Sequence, residues 1–430
     1  MAQRGFWSLA WLALRDLFDQ ATGFGRLAAV HVGMMAGDTL VTVSLAGSLF
    51  FSVSPTEAKS KVLAYLALTF APFAVVSPLL GPLIDRSVQG RRIIVAVSAG
   101  SRILLCWAMS RHLSSWLLFP EAFAMLVASK LYVVTRGTLV PEMARSNQFR
   151  VTRPDVDGAG WPLRVVAKDA GFAGYNAQLT LRGTGAGLLV GVLGAAVLHV
   201  YSASAVLTVA AVVFGYAALT AMRLPSPAAV SSVTPVGTSS TSVSDHFEVQ
   251  WGLAAMSILR FVTGFLGFLL VFALRADDAS LGWYGAALTG TALGSFLGLA
   301  IVTRTHGARA DSTLLTWSHV LIAVGCGGLW LSPSLVGQVA LSIVIGLVGS
   351  IAQPSFDSIT QQYVPMNAQG RSFARFAVRQ QLLWVVGAML PVAIEFALPV
   401  GNAMVAIICG LSAIAYGGVR RFLNPVTPRH

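Results

Sequence analysis

Residues 81–92 read GPLIDRSVQGRR, at the end of a run with no charged residue from Val62 to Ile84. Asp85, Arg86, Arg91 and Arg92 then fall within eight positions. A helix needs about 20 predominantly apolar residues to cross the hydrocarbon core of a bilayer. The stretch therefore reads as a helix leaving a membrane, with its charges set down in the first water it meets.

Outward from that point the same alternation fills the chain. Of 430 residues, 55% are hydrophobic and 11% charged, against about 25% charged in an ordinary soluble domain. Apolar runs fall near 27–53, 61–84, 93–109, 114–139, 173–199 and 202–222, and again near 251–273, 283–303, 313–331, 335–360, 373–397 and 400–419. The expected fold is all-α, with twelve transmembrane helices, numbered here as spans 1 to 12, in two six-helix bundles over 27–222 and 251–430. Residues 223–250, rich in Ser and Pro and poor in large apolar residues, read as a flexible linker. Residues 1–26 read as an amphipathic segment on the membrane interface: Phe6, Leu9, Ala13 and Leu17 recur at helical spacing, with Trp7 and Trp11 at headgroup level.

Lys and Arg set the orientation. They crowd the segments before span 1, at 85–92, at 141–172, after span 8, between spans 10 and 11 and at the chain end, while the alternate loops hold Lys59, Lys61, Arg111 and Arg275. Both termini and the linker are expected in the cytoplasm, in the inner membrane of a bacterial-type cell. This placement also accounts for the net charge of +12, so no nucleic-acid partner is expected. Cys106, Cys326 and Cys409 each stand alone in a different run, without metal or redox spacing. No GxxxxGK, nucleophile elbow or metal-protease spacing occurs, so neither an enzyme nor a metal or cofactor is expected.

The halves share short matches at corresponding helix ends. At an offset of 217, Gly81, Ile84, Gly90 and Arg92 meet Gly298, Ile301, Gly307 and Arg309; spans 4 and 10 both close on Val-Pro, at Val140-Pro141 and Val364-Pro365. A duplicated six-helix unit follows, a device of transporters.

These features resemble the major facilitator superfamily, whose loop between helices 2 and 3 carries G-x-x-x-D-R-x-G-R-R. Gly81, Asp85, Arg86, Gly90, Arg91 and Arg92 match that pattern, with two extra residues before the second glycine. Gly37-Asp38, LVPE at 139–142, FDSITQQYVP at 356–365 and GRSFARF at 370–376 are similar to a bacterial exporter-like branch. Span 5 has glycines but lacks the Gly-Pro pair of that branch's antiporter motif. The resemblance implies alternating access, with helices 1, 4, 7 and 10 lining the cavity, helix 5 meeting helix 8, and helix 2 packing beside helix 11.

Charges inside spans are the strongest site signal, since each costs about 2.5–3.5 kcal/mol at mid-helix on insertion scales. Asp38, Arg102, Lys130 and Arg260 are the candidates for binding substrate or proton. Asp38 reads either as a structural ion-pair partner of Arg102 or Lys130, or as a proton or substrate group. Three deep cations against one acid favour an anionic or zwitterionic small molecule. Arg136, Arg182 and Arg379 lie near enough to the inner surface to snorkel, and His31, His199 and His319 read as interfacial or packing residues. Gly183, Gly187 and Gly191, and Gly290, Gly294 and Gly298, repeat every four residues and read as helix-packing faces; the resemblance pairs one with the other.

Arg371, Arg375 and Arg379 form a stripe at the start of span 11, where cations oppose the helix dipole unless acids lie close. The resemblance implies that the loop aspartate meets the start of helix 11, so Asp85 is expected to dock there on Arg371 or Arg375 and close the cytoplasmic side; Asp357 is expected to hold Arg379, and Arg86, Arg91 and Arg92 to anchor the loop at headgroups. The expected function is secondary active transport of a small molecule by a monomer in the lipid bilayer, coupled to H+ and directed to export. The competing reading is a scaffold or lipid-handling partner of a cell-envelope complex that moves nothing.

Overall fold

The computed structural model describes residues 22–49, 90–148, 171–225, 243–276, 279–303, 308–394 and 396–423. Span 2, with Gly81, Asp85 and Arg86, lies outside the described residues, as do most of the interfacial N-terminal segment and the middle of the linker. Among the described residues eleven helices are long and apolar enough to cross a membrane. They are α1 Gly23–Leu49, α2 Arg91–Arg111, α3 Leu118–Gln148, α4 Phe172–Val200, α5 Ala203–Met222, α6 Val243–Ala276, α7 Leu281–Val302, α8 Ala308–Leu331, α9 Leu335–Tyr363, α10 Gln369–Ala393 and α11 Leu398–Leu423.

The helices are apolar on both faces, one turned to the protein and the other outward. On α5, Val206, Ala210, Phe214, Ala217 and Ala221 are buried, while Val209, Val212 and Leu219 on the other side are exposed. Exposed aliphatic side chains of this kind are what lipid requires. Two starts carry a serine cap: Ser202 accepts from the Ala205 amide and Ser334 from the Gly337 amide, each satisfying one N–H that the first turn leaves open.

Two compact units result. The first holds α1, α2, α3, α5 and most of α4; the second holds α6 to α11 and the first residues of α4, where Asn176 pairs with Gln361. Within the first unit α2 packs along α3 and α5, and α1 along α3 and α5. Within the second, α8 packs along α9 and α11, and α6 along α9 and α11. The same four pairings recur at corresponding spans, as duplication implies.

The helix ends differ from expectation. The Val-Pro pairs are not equivalent: α3 runs on through Pro141 to Gln148, whereas α9 stops at Tyr363 with Val364 extended. Glu142, Met143, Ala144 and Arg145 after Pro141 are good helix formers, while the chain after Pro365 turns at once into α10. α6 begins at Val243 inside the linker composition, because residues 245–250 contain no Pro or Gly and bury Glu248 and Val249.

Within its own unit each glycine row meets a neighbouring helix. A Cβ on Gly183 would meet His31 and Met35 of α1, and one on Gly187 or Gly191 would meet Thr39. A Cβ on Gly294 would strike the Ile343 carbonyl of α9, and Gly290 and Gly298 face Ile343, Leu347 and Ser350. Gly346 of α9 returns the contact on the Thr291 carbonyl of α7. A second seam joins α6 to α10, where Gly264 faces the Trp384 carbonyl and Gly387 the Phe261 carbonyl. On α7 and α6 the smooth glycine row lets a neighbouring backbone approach, whereas the α4 row receives side chains of α1.

Candidate substrate and coupling site

In the first unit α1 and α3 face each other with polar stripes at heptad spacing. His31 and Asp38 lie seven residues apart on α1; Ser129, Tyr132 and Arg136 follow at i, i+3 and i+7 on α3. Such spacings put side chains on one helix face. Arg102 enters from α2, and its Nη1 stands 3.2 Å from Asp38 Oδ1 and 3.3 Å from Met34 Sδ. Ser129 Oγ donates to Asp38 Oδ2 at 2.9 Å.

Arg102 is wholly buried, whereas Asp38 retains 25% of its side-chain exposure. The rings of Phe214 and Tyr132 lie 5.2 and 6.0 Å from the guanidinium carbon, so aromatic faces share the charge with the carboxylate. Nε and Nη2 of Arg102 have no hydrogen-bond partner among the described residues. Among the described residues, Asp38 is therefore the one direct counter-charge of an enclosed cation. Lys130, next to Ser129, adds a further positive charge around the same carboxylate.

His31 is buried and continues the stripe. Its Nε2 lies 3.3 Å from Arg136 Nη1 and its Nδ1 lies 3.0 Å from the Tyr132 hydroxyl. A guanidinium can only donate, so Nε2 accepts and Nδ1 carries the hydrogen towards Tyr132. Arg136, expected to snorkel, is instead turned inward to His31. Gly183 of α4 sits directly over that imidazole, 2.6 Å from Nε2 to a built Cβ.

The second unit holds a different arrangement. Arg260 on α6 donates from Nη2 to Gln353 Oε1 at 2.6 Å, and Gln353 Nε2 donates to Asp357 Oδ1 at 2.7 Å. A neutral amide thus stands between a cation and an acid. This corrects the assignment of Asp357 to Arg379: Asp357 is buried towards α6, while Arg379 is exposed on α10. Arg371 and Arg375 are exposed on that same α10 face.

Arg91 corrects a further expectation. It is fully buried and ion-paired to Glu142 of α3, not laid on headgroups. Gly90 caps α2, and Arg92 is half-buried. At the matching helix ends of the second unit, Asp311 of α8 accepts from Ser358 Oγ at 2.7 Å and Gln362 Nε2 at 3.1 Å. His319 is a packing residue, against the Leu315 carbonyl. Charge in an apolar run pointed to Asp38, Arg102, Lys130 and Arg260. Ser129, Tyr132 and Gln353 gave no signal of that kind, being neutral residues common in any helix.

No protein-family model matches the sequence. An uncharacterized protein of Mycobacterium leprae is 28% identical over 456 residues, covering 96% of this chain and 74% of its own length. An uncharacterized MFS-type transporter of Mycobacterium tuberculosis is 26% identical over 412 residues, covering 87% of this chain and 84% of its own. Among solved structures, the human organic anion transporter MFSD10 matches with a TM-score of 0.66 at 14% identity, over 91% of this chain and 99% of the other.

Proposed function

For a chain with the fold of the major facilitator superfamily, we propose secondary active transport of a small anionic or zwitterionic molecule by alternating access. The chain is a multi-pass membrane protein. In this reading it works as a monomer in a bacterial cytoplasmic membrane, is coupled to H+ and moves its substrate outward. Resemblance to exporters at Gly37-Asp38 and LVPE supports the direction. The anionic class is supported by the excess of deep cations and by the organic anions named for the human structural neighbour.

The observation that carries the coupling is the partly exposed carboxylate of Asp38 against the enclosed guanidinium of Arg102. Ionised, Asp38 completes a buried pair. Protonated, it leaves Arg102 uncompensated, a state that removal of a partner makes costly by about 3–5 kcal/mol. The two protonation states of one carboxyl therefore favour different packings of α1 against α2 and α3. A difference of this size is enough to reverse a two-state equilibrium.

The test is Asp38→Asn in proteoliposomes preloaded with a panel of small organic anions, with and without an imposed pH gradient. The variant should keep exchange of internal for external anion and lose gradient-driven movement. A folded Asp38→Asn protein with full gradient-driven movement would remove Asp38 from the mechanism.

A further inference from the structure

The deep cations are not equally available. Arg102 is fully enclosed and directly paired with Asp38, and Lys130 lies beside that same carboxylate. Arg260 is different. It is half-buried, and no carboxylate lies within ion-pair distance of it among the described residues. Its Nη2 is held by a neutral amide, and its Nε is buried without a partner.

We propose that Arg260 takes the acidic group of the transported molecule, a carboxylate or a similar oxyanion, and that the Gln353 side chain is the placeholder it displaces. This deepens the transporter reading and rests on it. The exchange is favourable on each bond involved. A carboxylate oxygen replaces an amide oxygen on the guanidinium, and a bond with both partners ionised is shorter and stronger than one with a neutral acceptor. A second oxygen of the ligand supplies the acceptor that Nε lacks, since the guanidinium fork matches a carboxylate in a bidentate way. Gln353 loses only its Oε1 contact; its Nε2 stays on Asp357, 2.7 Å away, so no buried donor is stranded. Half-buried Gln353 can turn its freed oxygen to water. A direct Arg260–Asp357 pair would instead require an incoming anion to break an ion pair first.

The placeholder also sits at a pliable point. Gln353 precedes Pro354 inside α9, and a proline within a helix leaves the carbonyl four residues earlier, here that of Ser350, without its amide donor. Displacing Gln353 therefore acts on the part of α9 least held by its own backbone.

The experiment uses the purified full-length protein and straight-chain carboxylates from acetate to octanoate, with benzoate, each beside its own primary amide. Thermal stabilisation reports binding by mass action. In the wild type a carboxylate should stabilise where its amide does not. Arg260→Gln should weaken that binding about tenfold or more, the range lost with a hydrogen bond to a charged group. Gln353→Leu removes the internal competitor and should strengthen it severalfold. Equal stabilisation by acids and amides overturns the proposal, as does a carboxylate effect that survives Arg260→Gln. If Arg260→Gln does not fold, Gln353→Leu decides alone: tighter binding supports the site, unchanged or weaker binding overturns it. Proton-driven flux that persists without carboxylate selectivity removes Arg260 and leaves the transporter reading; carboxylate binding without flux does the reverse.

Discussion

Two glycines on α7 allow the packing account to be tested within one helix. Gly285 is exposed, and a Cβ built on it meets nothing within 4 Å. A Cβ on Gly294 would strike the Ile343 carbonyl and lie 2.9 Å from the Leu347 amide nitrogen. Replacing either by Ala gains the same helix propensity, about 1 kcal/mol, so that gain cancels between the two variants. What remains is overpacking at Gly294, about 1–3 kcal/mol. The upper part of that range applies, because the obstructing atoms are backbone and cannot rotate away. At about 2–4 °C per kcal/mol for a body of some 200 residues, the melting midpoints should separate by several degrees. The assay heats each detergent-solubilised variant in steps and measures the monodisperse fraction that remains. Gly294→Ala melting at or above Gly285→Ala would refute the backbone seam between α7 and α9.

The ion pair between Arg91 and Glu142 should behave as a buried pair. Glu142→Gln is expected to lower stability by about 3–5 kcal/mol, and Arg91→Met with Glu142→Leu should recover much of it; an unaffected Glu142→Gln melting curve contradicts the pairing. Topology is open to labelling with an impermeant maleimide, since the three native cysteines are buried. Cysteines placed at positions 57, 111 and 277 should react from outside and those at 150, 238 and 426 only after permeabilisation. Outside reaction at 238 contradicts a cytoplasmic linker.

Asp38, Arg102 and Arg260 stood out in the sequence because a charge in an apolar run has few innocent explanations. Their partners did not stand out. Ser129 and Gln353 are neutral, and nothing in a linear pattern distinguishes a serine that caps a carboxylate from one that bonds its own helix, as Ser318 does with Leu314. Arg91 was misjudged for a related reason: the positive-inside rule explains any arginine in an inner loop, so the buried partner Glu142, some fifty residues on, gave no further signal. The glycine rows announced close packing, yet a row of small residues carries no address. Its spacing is the same whichever helix lies against it, and the contact is settled by shape in three dimensions. The two Val-Pro pairs show the same limit, since the residues after the proline decided whether the helix continued.

The two seams of the second unit also fix how it can deform. Where backbone touches backbone, as at Gly294 with Ile343 and Gly264 with Trp384, no rotamers remain to absorb a shift. The pair α7–α9 behaves mechanically as one plank, and the pair α6–α10 as another. Strain within the unit therefore collects along the joint between the planks. Arg260 belongs to one plank and Gln353 to the other, and their 2.6 Å hydrogen bond crosses that joint. A group that parts those two side chains pushes on that joint and leaves both seams intact.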